Sequence, residues 1–136
     1  MSTYGIATIE GIGPKYTAKL KVVGVRTTAT LLSRAKDPKG RKELAAAAQI
    51  DEPLILKWAN MADLMRIKGV GEEYSELLEA AGVDTVKELR NRNVANLTRA
   101  MIEANAKRKM VRLLPSEKAV ARWVAQAKTL QPVMTY

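Results

Sequence analysis

The 136-residue chain has no cysteine, no histidine and no phenylalanine. Without Cys or His there are no disulfides, no thiol or imidazole catalysis and almost no route to a zinc site. Aromatic residues make up only 4% of the chain, too few for the base-stacking platforms of a single-strand nucleic-acid binder. No apolar run approaches the roughly 18 residues a membrane span needs. The opening Met1-Ser2-Thr3-Tyr4 also lacks the basic n-region of a secretory leader. A cytoplasmic location and no membrane partner are therefore expected. Acidic residues are scarce as well: 14 against 23 Lys and Arg, a net charge of +9 that favours polyanionic partners.

What is present is enough to fold. Hydrophobic residues make up 47% and charged residues 27%, in a length that suits one domain or two units of about 60 residues with thin cores. The organising feature is an internal repeat. Ile9-Glu10-Gly11-Ile12-Gly13-Pro14-Lys15-Tyr16 returns 58 residues later as Ile67-Lys68-Gly69-Val70-Gly71-Glu72-Glu73-Tyr74. The register holds through Leu20/Leu78, Gly24/Gly82, Val25/Val83, Thr27/Thr85 and Leu31/Leu89, nine identities in 23 ungapped positions. Such a repeat fixes the architecture before any single element is read. It is also an internal control: agreement between copies points to the fold, disagreement to function.

The pattern predicts helices throughout. Pro14 suits a first helical turn, where its missing N–H costs nothing. Tyr16, Leu20 and Val23 then form an apolar stripe that Gly24 ends from a left-handed position, as Tyr74, Leu78, Ala81 and Gly82 do in the second copy. Thr27 and Thr85 read as N-caps, with Thr85-Val-Lys-Glu88 as a capping box. Asp37-Pro38 and Asp51-Glu52-Pro53 place capping Asp residues before further helices, and Ser116 caps a last helix reaching about Lys128. Ile55-Leu56-Lys57-Trp58 matches Val120-Ala121-Arg122-Trp123 at an offset of 65, so about seven residues enter the second copy between Asn91 and Pro115. Residues 1–63 and 64–136 are the expected units, joined rigidly by the Trp58 helix. The aromatic pairs Tyr16/Tyr74 and Trp58/Trp123 belong to the cores. Gln131 to Tyr136 reads as a short non-helical tail without an assigned role.

Gly11-Ile12-Gly13 and Gly69-Val70-Gly71 are the chemically suggestive segments. A glycine–apolar–glycine turn opening a helix directs free N–H groups outward, and the missing Cβ atoms let a phosphate approach. The pattern apolar-x-Gly-apolar-Gly-x-x-x-small-x-x-apolar, with Thr17 and Ser75 at the small position, resembles the helix-hairpin-helix motif. Three longer stretches resemble a bacterial family, domain-of-unknown-function family number 4332. They are Gly-Val-Gly-Glu-Glu-Tyr-Ser-Glu-Leu-Leu-Glu-Ala-Ala-Gly-Val-Asp-Thr-Val, Leu-Pro-Ser-Glu and Val-Met-Thr-Tyr. The resemblance implies an all-α fold of tandem helix-hairpin-helix units, SAM-domain-like helical bundles, and brings no established activity. Across the wider helix-hairpin-helix class, hairpin amides hold a nucleic-acid backbone without reading bases, often beside a monovalent cation. Carried over, this nominates Gly11, Ile12, Gly13 and Lys15, and secondarily Gly69, Val70 and Gly71. No other cofactor is implied.

Charge separates the two copies. Lys15 aligns with Glu73, Lys21 with Glu79 and Arg26 with Asp84. From Gly11 to Lys42 there are nine basic residues and one acidic; from Glu72 to Glu88 there are six acidic and one basic. Carboxylates within a Debye length of about 8–10 Å weaken a phosphate site. The first turn, with Lys15, Lys19, Lys21 and Arg26, is therefore the expected contact. Lys107, Arg108, Lys109 and Arg112 form a second basic cluster in the inserted region, read against a solvated helix end carrying favourable cations. Glu72, Glu73, Glu76 and Glu79 read as a solvated helix face rather than metal ligands. No P-loop and no nucleophile–base pair occurs, so no enzyme is expected. Two readings follow: a module binding duplex nucleic acid through its phosphates, or a protein-interaction or self-assembling scaffold module. The second rests on Leu77, which replaces the solvent-facing Lys19 and widens the apolar stripe as a partner surface would.

Overall fold

The computed structural model describes residues 3–136; Met1 and Ser2, which open both the expected first unit and the leader reading, lie outside the described residues. The chain is all-α. After a 3-10 turn at Ile6–Thr8 come α1 (Pro14–Val22), α2 (Thr28–Ala35), α3 (Pro38–Ala48) and α4 (Glu52–Leu64). Then follow α5 (Glu72–Ala80), α6 (Val86–Leu89), α7 (Val94–Lys107) and α8 (Glu117–Thr129). Among the described residues there is no strand, only an isolated antiparallel bridge between Gly5 and Thr27.

Local chemistry accounts for most of the helix ends. Pro14 is the first residue of α1, and Gly24 and Gly82 follow α1 and α5 at φ +87° and +93°, a region that L side chains rarely adopt. Thr27, Asp37, Asn93 and Ser116 each accept a hydrogen bond from a first-turn amide. Two expected caps differ. The Asp51 side chain caps nothing. The Thr85 hydroxyl donates to Glu88 Oε1 at 3.2 Å and takes no backbone amide, while Asp63 from α4 reaches over and accepts from Val86 N–H, the first amide of α6, at 2.8 Å. The N-cap spacings also locate the extra length. They are 58 at Thr27/Thr85, 56 at Asp37/Asn93 and 65 at Asp51/Ser116, so the insertion lies in α7 and the loop after it.

The apolar stripes bury into two clusters. One gathers Ile12, Leu20, Val25, Leu31, Leu44, Ile55, Trp58 and Met65; the other Leu64, Val70, Leu77, Leu78, Val83, Leu89, Leu97 and Trp123. Helix α4 feeds both, since Leu64 faces the second and Met61 the first. Tyr16 and Tyr74, expected to be buried, are only half-buried: their rings lean on Trp58 and Trp123 at centroid distances of 5.1 and 5.2 Å while their edges face solvent.

The tail, which sequence left without a role, straps the chain back onto its beginning. Thr135 N–H donates to Lys36 O at 2.8 Å, Arg41 Nη2 donates to Thr135 O at 2.8 Å, and the Tyr136 hydroxyl lies 2.7 Å from Asn60 Oδ1. Met134 enters the first cluster at 8% exposure, with Val133 packed beside it. Burial, with Glu88, Asp63 and Asp84 nearby, pushes the Tyr136 phenol up to about 12. Met134→Ala should cost about 2 kcal/mol, the low end for a truncated core methionine, read as a lowered denaturation midpoint. An unchanged midpoint would show that the strap carries no stability.

Candidate functional site

The two glycine turns have the same backbone. Gly11 and Gly69 both sit at φ +93°, each over an indole: an added Cβ would lie 3.6 Å from Trp58 Nε1 and 3.2 Å from Trp123 Nε1. Gly13 and Gly71 are the N-cap residues of α1 and α5, extended and without any side-chain cap. Ile12 and Val70 between them are buried, and their amides bond to Ile9 O and Ile67 O at 3.1 Å. Neither offers a free N–H, so both drop out as direct contacts and serve as anchors. Among the described residues the Gly11 and Gly13 amides have no partner, and the first-turn amides of Lys15 and Tyr16 have none within α1. A helix start of this kind favours an anion.

The side chains around the two starts diverge. No acidic residue stands in the first turn of α1, whereas Glu72 and Glu73 open α5. Lys15, Lys21 and Arg26 are exposed and form no ion pair among the described residues. Lys19 is different: its ammonium donates to Gln49 O at 3.0 Å and sits 6.0 Å from the Tyr16 ring, closing the end of α3. Lys19 therefore belongs to the scaffold. The nine-fold basic stretch thins further, because Arg34 donates to Val23 O and the buried Arg41 to Ala35 O. Around the second turn, partial burial and then the carboxylates of Glu10, Glu73 and Glu76 raise the Glu72 carboxyl above its ordinary value. Burial raises Glu79 as well, opposed by Lys57. Glu10 precedes the first turn, so its charge is felt at the start of α5.

The family model described as "Domain of unknown function (DUF4332)" matches residues 10–130. The chain belongs to this family. No curated protein and no solved structure matches it. The DUF4332 match spans both glycine turns and all eight helices, and the tail strap lies beyond it.

Within this DUF4332 chain the second basic cluster is split. Arg108 forms an ion pair with Glu76 across from α5, while Lys107, Lys109 and Arg112 are exposed and have no ion-pair partner among the described residues. Leu77 corrects the sequence reading. It is 0% exposed, packed in the second cluster, because the longer α7 lies against α5 and covers the face that Lys19 holds open in α1. It presents nothing to a partner. Among the described residues no group of three or more carboxylates is placed to hold a metal ion.

Sequence reasoning passed over Asp63 and Arg66. Both are buried at the junction of α4, α6 and the tail, with Arg66 Nη1 donating to Asp63 Oδ1 at 2.8 Å and Arg66 Nη2 to Gln131 O at 3.0 Å. The available signal was an acid inside Met61-Ala62-Asp63-Leu64-Met65, where every neighbour is apolar.

Proposed function

We propose that this chain is a non-enzymatic, tandem helix-hairpin-helix module that binds the phosphate backbone of duplex nucleic acid, without sequence preference, through its first turn. One observation carries the reading: the two turns share their left-handed glycine, Gly11 and Gly69 at φ +93°, but the helix after the first opens with Lys15 and no carboxylate, whereas Glu72 and Glu73 open the helix after the second. Gly11 and Gly13 offer amides, Lys15 stands in the first turn of α1, and Lys21 and Arg26 flank the same unit. The equivalent positions Glu73, Glu79 and Asp84 make the second turn repel what the first attracts. Phosphate contacts fix position and carry no sequence information, and nothing at the turn is shaped to read base edges.

Fluorescence anisotropy with labelled duplexes tests this. Affinity should be micromolar or weaker, independent of sequence, and about three to four phosphates engaged should give a log K against log salt slope near −3. Lys15→Glu should cost about 1–3 kcal/mol of binding and flatten the slope by about one. Stability should hardly change, since Glu73 already occupies the matching place in a folded unit. Glu73→Lys should strengthen binding modestly by unmasking the second turn. If Lys15→Glu binds duplex as well as wild type, with an unchanged slope, the first turn is scaffold.

A further inference from the structure

The loop after α7 builds a surface that the first unit lacks. Between α3 and α4 the chain needs only residues 49–51, whereas residues 108–116 separate α7 from α8. This longer loop carries Leu113 at 75% and Leu114 at 36% exposure, although Tyr74 Oη donates to Leu113 O at 3.0 Å and holds the segment against α5. Behind the leucines lies a groove of about 410 Å³, floored by Gly69 and Trp123 and walled by Leu114, Pro115 and Ala119. The core does not require exposed leucines here, since the first unit folds its glycine turn over Trp58 without any such wall.

Charge says what covers the groove. On the α5 side stand the exposed carboxylates of Glu72 and Glu73; on the loop side stand the exposed Lys109 and Arg112. None of these four has an ion-pair partner among the described residues. The two rows adjoin, tied by the Tyr74–Leu113 hydrogen bond and the Arg108–Glu76 ion pair. A surface with an acidic row beside a basic row is self-complementary: a two-fold axis along their boundary sets each row against the opposite row of a second copy. Leu113 itself lines the groove and is tied to Tyr74 of α5, so it stands at that boundary and such a rotation turns it toward the groove of the second copy.

We infer that a second copy of this chain docks here, Leu113 of each molecule seated in the groove beside Gly69 and Trp123 of the other. The inference does not depend on nucleic-acid binding, because none of the residues that line the groove comes from the first turn. A contact centred on one leucine per copy belongs to the small, weak class of interfaces, with a Kd of about 10–100 μM.

Sedimentation equilibrium of the full chain without nucleic acid, over about 5–500 μM so as to bracket that constant, provides the test. Wild type should fit a monomer–dimer equilibrium, and Leu113→Asp should weaken it by about tenfold or more, as expected for an anchor at an interface centre. Leu113 is exposed, so circular dichroism and the denaturation midpoint should match wild type. Val22→Asp, at an 86% exposed apolar position in the other unit, should leave the dimer constant unchanged. A wild-type chain that stays monomeric across the range overturns the inference. So does a dimer that Leu113→Asp leaves intact, or one that Val22→Asp disrupts equally. Duplex affinity of Leu113→Asp should equal that of wild type at concentrations where both are monomers, which separates this contact from the proposed phosphate site.

Discussion

Asp63→Ala is expected to destabilise the folded chain by about 3–5 kcal/mol, the cost of removing one member of a buried ion pair. The carboxylate is 1% exposed and does two jobs at 2.8 Å each: Oδ1 accepts from Arg66, and Oδ2 accepts from Val86 N–H at the start of α6. Alanine removes the carboxylate facing a buried guanidinium and leaves the Val86 amide without its acceptor. It also loosens the grip of Arg66 on Gln131 O, where the tail begins. Asp63→Asn retains the shape and one acceptor, so its cost should be smaller, about 1–3 kcal/mol. Denaturant titration followed by tryptophan fluorescence measures both. A loss below about 1 kcal/mol for the alanine variant would mean the junction behaves as a surface ion pair.

Trp58→Ala and Trp123→Ala should each cost about 3–5 kcal/mol by leaving a large cavity, and the two should part company on duplex binding. Trp58 is buried in the first cluster, carries the half-buried Tyr16 edge-on, and places its Nε1 beneath Gly11. Removing it takes away the floor under the first turn, so anisotropy at low temperature, where the variant remains folded, should show weakened binding. Trp123 does the same for Tyr74 and Gly69 in the second unit. Its loss should destabilise equally and leave the affinity of folded molecules near wild type. Equal binding losses from both would assign the phosphate contact to both turns.

The repeat made much of this legible. Positions where the copies agree are the ones local physics dictates: Gly24 and Gly82 in left-handed backbone, and paired tryptophans under paired glycines. What escaped was tertiary and occurs once. Leu77 read as solvent-facing because Lys19 marks that face in the other copy; only packing reveals that α7 runs one turn further and covers it, while Lys19 escapes burial by capping Gln49 O. Thr85 carries the sequence of a capping box, yet its hydroxyl bonds the Glu88 side chain, and the start of α6 is held instead by Asp63 of α4, which accepts from Val86 N–H 23 residues away. The tail shows no periodicity, and its partners lie up to 99 residues away, beyond any window of pattern. For the proposed site, the charge reversal between copies is what nominates Lys15, Lys21 and Arg26. That the amides of Ile12 and Val70 are occupied required the backbone.

The strap has a consequence for how the chain acquires its structure during synthesis. The first core is drawn from the opening 65 residues, except for Met134, and its outer edge is held by Thr135 on Lys36. Chains generally fold from the N-terminus as they emerge from the ribosome, at about 5–20 residues per second. This one must wait: its earliest helices stay incomplete at that edge until residues 133–136 have emerged. Closing so long a loop is slow compared with forming the helices themselves. The first unit should therefore begin folding before the second and finish after it.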